Sequence, residues 1–366
     1  MKPPGVSIIV CCHNGAPRLR ETIRHIASQR LPADVPWEFL LIDNGSSDDS
    51  VAVAVDAWQA AGGAEGMLRV VHEPKLGLSH ARARAFDEAR YEYMVLCDDD
   101  NWLSADYAAL MFEIMETRAQ VGAVGGYGML VCEEEPPSRL LLQAFPAGPQ
   151  GAATGPAREM RVFGAGCGIR YSAWRHLQGV GFSSLLTDRW GAALSSGGDY
   201  ELCLALAILG YEIWYDERLK FIHCIGKERL QWSYFARYAR ESTVGFHIIT
   251  SYKMVAGQHP LVSFPWLLML RNMFVTFSVW LSSELRRRMT GDNHELRLFL
   301  RFYALIFGYK MILYAREFRT MVRHHEQILR FRERCRSAHL IRPVLGPHSK
   351  RRVRISFFSR PSRPLP

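Results

Sequence analysis

Short apolar runs and polar turns alternate through the first third of the chain. Residues 6–11 (VSIIVC), 39–42, 68–72 and 93–96 have the length and β-branched or apolar character of buried strands. Between the first two, Leu19, Ile23 and Ile26 recur at helical spacing until about Arg30, just ahead of Pro32. Residues 48–61, 78–89 and 105–118 predict three further helices. The order βαβαβαβα predicts an α/β fold, a mostly parallel sheet flanked by helices. Farther on, 121–131 predicts a strand region, 133–156 a Pro- and Gly-rich loop, and 162–171 a glycine-rich strand or bulge. Leu202, Leu206 and Leu209 mark a helix from Asp199 to a stop at Gly210, and an extended stretch runs from Trp214 to His223.

Polar residues collect where these strands end: His13 and Asn14, Asp43, then Asp98, Asp99 and Asp100. Parallel strands send their C-terminal ends to one rim, where open α/β sheets bind ligands. Three successive carboxylates repel one another and resist unpaired burial. A hard divalent cation, Mg²⁺ or Mn²⁺, would relieve them, held by one or two carboxylates and the phosphates of a substrate. A solvated acidic turn with an Asp cap is the plainer account of that stretch. Gly164, Ala165 and Gly166 leave room for a ligand to approach the backbone. Asp199 falls in the first helical turn after Gly198, where the helix dipole favours an ionised carboxylate and suits a general base. A plain N-cap uses the same residue, and a histidine such as His223 is commonly a buried, hydrogen-bonded group.

Charge changes the picture of the C-terminal third. The net charge is +9, and from Arg316 onward fourteen Lys and Arg face three acids, so the basicity belongs to the tail. With few aromatics or RNA-type motifs, an anionic membrane surface is the expected partner and nucleic acid is not. Residues 261–283 are nearly long enough to span a bilayer, but Arg271 at the centre and Pro265 favour a helix lying in the interface. A second helix, 298–318, is apolar on one face and basic elsewhere, suited to a membrane surface or to packing. The clusters 286–288 and 350–352 add lipid-binding charge, and the tail from 343 is expected to be disordered. Eight scattered cysteines without metal spacing, and no signal-peptide core, imply a catalytic body in the cytoplasm, at the cytoplasmic side of the membrane, peripheral or monotopic. The expected division is a catalytic domain over 1–255, a helical membrane-associating region over 256–342 and a basic tail over 343–366.

Five pieces in order, VSIIVCCHN, LIDNGSSDDS, GLSHARARAF, VLCDDDN and GGDYEL with the following HCIGKERLQWSYF, resemble the family 2 glycosyltransferases of GT-A fold. They span about two-thirds of the chain. The resemblance implies an inverting, metal-dependent transfer of a sugar from a nucleoside-diphosphate sugar. It implies Asp43 on the N3–H of a uracil or thymine, Asp98 on the ribose or sugar, and Asp100 on Mg²⁺ or Mn²⁺ with His223 as a further ligand. Arg82, with His13, Asn14 and Asp99, is implied near the nucleotide-sugar. Asp199 is implied as the base, with Gly164, Ala165, Gly166 and Gly198 around the sugar or acceptor. The chain departs from the family pattern at His13, at Ala83 and Ala85, and at Gly198, where tyrosine, asparagine, glycine and glutamate are usual. Gln231-Trp232 with Arg237 is not the processive QxxRW pattern, so a single transfer is expected, to a saccharide that membrane docking makes lipid-linked. A pyrophosphorylase or a non-catalytic sugar-nucleotide scaffold would use a related sheet.

Overall fold

The computed structural model describes residues 2–186, 194, 196–291 and 293–338. The tail over 343–366, including the cluster 350–352, lies outside them. The N-terminal half alternates as its sequence pattern predicts: β1 (Val6–Cys12), α1 (Ala16–Ala27), β2 (Trp37–Asp43), α2 (Ser50–Ala60), β3 (Leu68–His72), α3 (Leu78–Glu88) and β4 (Tyr93–Cys97). These four strands are parallel, ordered β3-β2-β1-β4. The chain thus leaves β1 toward one side and returns to place β4 on the other. That reversal opens a crevice between the C-terminal ends of β1 and β4, the place where such sheets take ligands.

Beyond β4 the sheet is mixed. β5 (Asn101–Leu103) precedes α4 (Tyr107–Thr117), so the acidic turn enters a short strand before its helix. β6 (Val121–Cys132), β7 (Gly155–Pro156) and β8 (Cys167–Arg170) follow, then α5 (Tyr171–Gly179), α6 (Gly198–Ile208) and β9 (Glu212–Ile225). β8 runs antiparallel to β4 and β6, and β5 runs antiparallel to β9. The parallel pairs of this mostly parallel sheet lie in its first half and between β6 and β9. β5 escaped the sequence pattern because three residues are too few to show alternation. Its pairing Asn101↔His223 carries the acidic turn to β9. All eight cysteines are free.

The last third is helical: α7 (Trp232–Glu241), α8 (Phe246–Ala256), α9 (Pro265–Met289) and α10 (His294–Ser337). Among the described residues α10 is the one helix long and apolar enough to cross a membrane, whereas 261–283 had the apolar run in sequence. Yet α10 is tied to the body. Ile328, Phe331 and Cys335 join the core that also holds Ile9, Leu40 and Leu204. Toward its start, Phe302 packs with Phe235 of α7 and Ile225 of β9. Of the apolar face expected over 298–318, Phe302 is buried against protein while Ile312 is exposed.

Three histidines lie where α10 meets α8 and the loop before α9. His247 stacks on His324 with ring centroids 5.1 Å apart and a 2.8 Å ring-nitrogen hydrogen bond, and His325 bonds the Val262 carbonyl. Burial, then the neighbouring His324, pushes His247 down to about 3. His324 and His325 are lowered too, chiefly by burial. A histidine held neutral in the folded state takes up a proton near 6.5 once unfolded. Stability is then complete above 6.5 and falls as the pH drops toward the folded value, by on the order of 2 kcal/mol at pH 5 from His247. Thermal melts should show Tm falling from pH 6.5 to 5, with a shallower fall in His247→Gln.

Candidate active site

The strand ends meet in one cleft of about 1040 Å³. Cys11, His13, Arg82, Asp98, Asp99, Asp100, Gly164, Ala165, Asp199 and His223 all line it. The polar rim of the sheet and the start of α6 are therefore one site. Asn14, Asp43, Gly166 and Gly198, also expected in the site, do not line it.

Asp98, Asp99 and Asp100 have three different environments. Asp99 is gripped by Arg18 of α1 through Nε at 3.1 Å and Nη2 at 2.5 Å, and its carbonyl accepts from Thr22. Burial, with Asp100 and Asp98 alongside, pushes Asp99 up to about 6 against the pull of Arg18. Its carboxylate is thus tied to Arg18 at the wall of the cleft. Asp100 accepts from Arg229 Nη1 at 2.6 Å and from Asn101 Nδ2 at 3.0 Å, and its Oδ2 lies 3.5 Å from His223 Nε2. No hydrogen bond or ion pair holds the Asp98 carboxylate among the described residues, while its N–H donates to Asn101 Oδ1 at 3.2 Å.

Asp100 and His223 are adjacent because β5 pairs with β9. Among the described residues no group of three or more His, Cys, Asp or Glu is placed to hold a metal. One carboxylate oxygen and one imidazole nitrogen still fit an ion that takes its other ligands from phosphate and water. Arg229 shares that carboxylate oxygen, so it must shift or share when such an ion binds. Sequence reasoning missed Arg229. Its signal was present in HCIGKER, six residues after the histidine, but an arginine in a basic turn is ordinarily a surface charge.

Asp199 sits in the first turn of α6, following Gly197 at φ +124°. Gly164 N donates to its Oδ2 at 2.6 Å and Tyr200 N to its Oδ1 at 2.9 Å. A Cβ at Gly164 would stand 3.1 Å from both Asp199 Oδ2 and Arg82 Nη2. The glycine thus lets Asp199 and Arg82 close on the same backbone. Gly166 serves packing: it has φ +69° and lies against Tyr107, whose hydroxyl donates to its carbonyl.

Asp43 ends β2 with both oxygens engaged, Oδ1 by Ser46 N at 3.0 Å and Oδ2 by His72 Nδ1 at 2.9 Å. Burial pulls its pKa up, but the bonds from Ser46 and His72 prevail and hold it below the usual value. Asn14, at φ +50°, accepts from Ser47 N at 2.8 Å and joins the two strand-end loops. His13 Nδ1 donates to the Asn44 carbonyl at 2.9 Å. These residues shape the rim.

A mixed sheet with an acid-lined crevice at its switch point defines the class, a GT-A transferase fold. Residues 7–175 match glycosyl transferase family 2. The uncharacterized glycosyltransferase EpsJ of Bacillus subtilis is 31% identical over 125 residues, 34% of this chain and 34% of that protein. The cholesterol galactosyltransferase of Borreliella burgdorferi is 29% identical over 115 residues, 31% of this chain and 29% of that one. The chain thus spans about a third of the length of the curated relatives it matches. Among solved structures, a mannosyltransferase from Pyrobaculum calidifontis, in complex with GDP-Man and Mn²⁺, superposes with a TM-score of 0.52 at 18% identity. That match covers 86% of this chain and 87% of the other, and shows the shared fold.

Gly164→Ala should lower turnover about tenfold by displacing Asp199 and Arg82 a few tenths of an ångström. Kinetics beside a thermal melt check this, with Tm expected to stay within about 3 °C of wild type, since no core packing is lost.

Proposed function

We propose that the chain moves a single sugar from a nucleoside-diphosphate sugar, with UDP or dTDP as the nucleotide, to a hydroxyl of a lipid-linked saccharide, with inversion. The observation that carries this reading is Asp98, Asp100, Arg82 and Asp199 on one cleft. Two backbone N–H groups fix the Asp199 carboxylate, and the start of α6 favours its charge. The acceptor hydroxyl gives its proton to Asp199 as its oxygen bonds the anomeric carbon. The bond from that carbon to the diphosphate breaks on the opposite face, and the nucleoside diphosphate leaves with the electron pair. Arg82 holds charge beside the departing group, and Asp98 is placed for a sugar or ribose hydroxyl. Asp100 and His223 would hold Mg²⁺ or Mn²⁺, which supplies neutralising charge to the diphosphate worth several kcal/mol. The mannosyltransferase of similar fold is a complex with Mn²⁺ and a nucleotide sugar. Both Asp43 oxygens already accept a hydrogen bond, from Ser46 and from His72, so a uracil N3–H would take a remaining lone pair or displace His72.

A donor panel of UDP-, dTDP- and GDP-sugars with Mg²⁺ or Mn²⁺ and a detergent-extracted lipid acceptor tests the reading. Transfer should appear with one donor, be lost in Asp100→Ala, and fall roughly 10²–10⁴-fold in Asp199→Asn. No turnover with any donor, with equal nucleotide binding by wild type and Asp199→Asn, would favour a scaffold.

We further propose that residues 256–342 dock the catalytic body, 1–255, on the cytoplasmic membrane surface as a peripheral or monotopic protein. Leu267, Leu270, Phe274, Phe277, Leu281 and Leu285 form one exposed apolar stripe along α9. It ends at Arg286, Arg287 and Arg288, of which the last two also pair with Glu284. A stripe closed by basic residues suits anionic lipid, at about 1 kcal/mol per basic residue near the surface. Flotation should recover wild type with vesicles containing phosphatidylserine more than with pure phosphatidylcholine. Phe274→Glu should abolish that binding, and its persistence would overturn the docking face.

A further inference from the structure

The end of the cleft away from the acidic turn has a character that the transfer step does not use. Phe299, Tyr303, Ile306 and Phe307 of α10 form an apolar, aromatic wall there. Into it projects the half-buried Lys310, its ammonium 5.0 Å from the Phe307 ring centre and 5.2 Å from that of Phe246. No ion pair of Lys310 occurs among the described residues. Its charged neighbour is another cation, Lys253 of α8, which also lines the cleft. Burial, then Lys253, pulls Lys310 down to about 8.

The surrounding charges do not cancel. Lys253 pairs with Glu159 at 2.8 Å, and the same carboxylate pairs with Arg161 at 2.7 Å. Arg161 lies over the ring of Tyr200, next to Asp199, with its guanidinium carbon 4.2 Å from the ring centre. Arg161 and Lys253 therefore share one carboxylate, and Lys310 adds a third cation at the aromatic wall. A half-buried ammonium facing a second cation is costly, and an anion between them removes that cost. A charge-assisted contact here would be strong because the wall excludes water. The ligand should also be apolar beside its charge, since the wall is mostly ring and aliphatic surface with the Tyr303 hydroxyl as its one polar group. A bare sugar chain lacks the charge that the first condition requires.

We propose that Lys310 and Lys253 form an anion subsite for a phosphate-bearing, apolar-tailed acceptor, whose first tail carbons lie along the α10 wall. The word acceptor rests on the transferase reading, whereas the binding itself does not. The subsite also fixes the polarity of the cleft. The donor diphosphate belongs at Asp100 and Arg82, the acceptor phosphate at Lys310, and Asp199 lies between.

Binding of decyl phosphate and the neutral decyl β-glucoside to the full chain, each below its micelle concentration, tests this without catalysis. Wild type should prefer decyl phosphate by about tenfold or more, as a charge-assisted contact predicts. Lys310→Met keeps the side-chain length and removes the charge. It should erase most of that preference while leaving decyl glucoside binding nearly unchanged, and Lys310→Arg should restore it. Inorganic phosphate should compete only at far higher concentration. Equal affinity for the two amphiphiles in wild type, or an equal loss for both in Lys310→Met, would overturn the subsite. Competition by inorganic phosphate at the same concentration as decyl phosphate would overturn its apolar half. Absence of sugar transfer with the preference intact would sink the transferase reading alone, and transfer without the preference would sink the subsite alone.

Discussion

Three carboxylates in a row at the end of a buried strand repel each other, and much of this molecule is arranged to hold them there. Each has a different answer. Arg18 reaches from α1 to take Asp99, and Arg229 reaches from beyond β9 to take Asp100. Asp98 is left to the cleft. Both arginines come from elements that flank the crevice, so the packing of the sheet and the neutralisation of the acidic turn are one event. Removing either partner would leave a largely buried carboxylate uncompensated, which is far costlier than losing an exposed ion pair.

The site follows from that arrangement by topology. Since β1, β2 and β4 are parallel neighbours, their ends reach the same rim, and the reversal of strand order at β1 opens the crevice beside Asp98. β5 is short, but its pairing with β9 sets His223 against Asp100. Gly164 does the same for the opposite wall, because a bare backbone there allows Asp199 and Arg82 to share one place. Helices α10 and α8 line the far end with an aromatic wall and two lysines, and the outer side of α9 carries the apolar stripe.

Most of the first half was legible in the sequence because its signals are local. Apolar runs of strand length, helical spacing in Leu19, Ile23 and Ile26, and polar strand ends each declare themselves within ten residues. The meeting of Asp98–Asp100 with Asp199 followed from the parallel order and from the resemblance of the motifs. What stayed hidden depends on distant partners. Nothing near Asp99 announces Arg18, and nothing near Asp43 announces that His72 will take its oxygen. Lys310 looked like one charge on the outer face of a basic helix, and only the packing of α10 against α7 and α8 turns it inward. The apolar run 261–283 drew attention as the membrane candidate, while the longer α10 meets the spanning criterion and is nevertheless anchored in the core by Ile328, Phe331 and Cys335.

The central claim is that Asp100 and His223 supply an incomplete set of ligands which a nucleoside diphosphate completes. Mn²⁺ binding followed by electron paramagnetic resonance tests it without reference to turnover. Free Mn²⁺ should bind weakly to the protein alone, at least tenfold more tightly once UDP or dTDP is added, and not measurably in Asp100→Ala with nucleotide present. Mn²⁺ bound equally well without nucleotide, or unaffected by loss of the Asp100 carboxylate, would contradict the account.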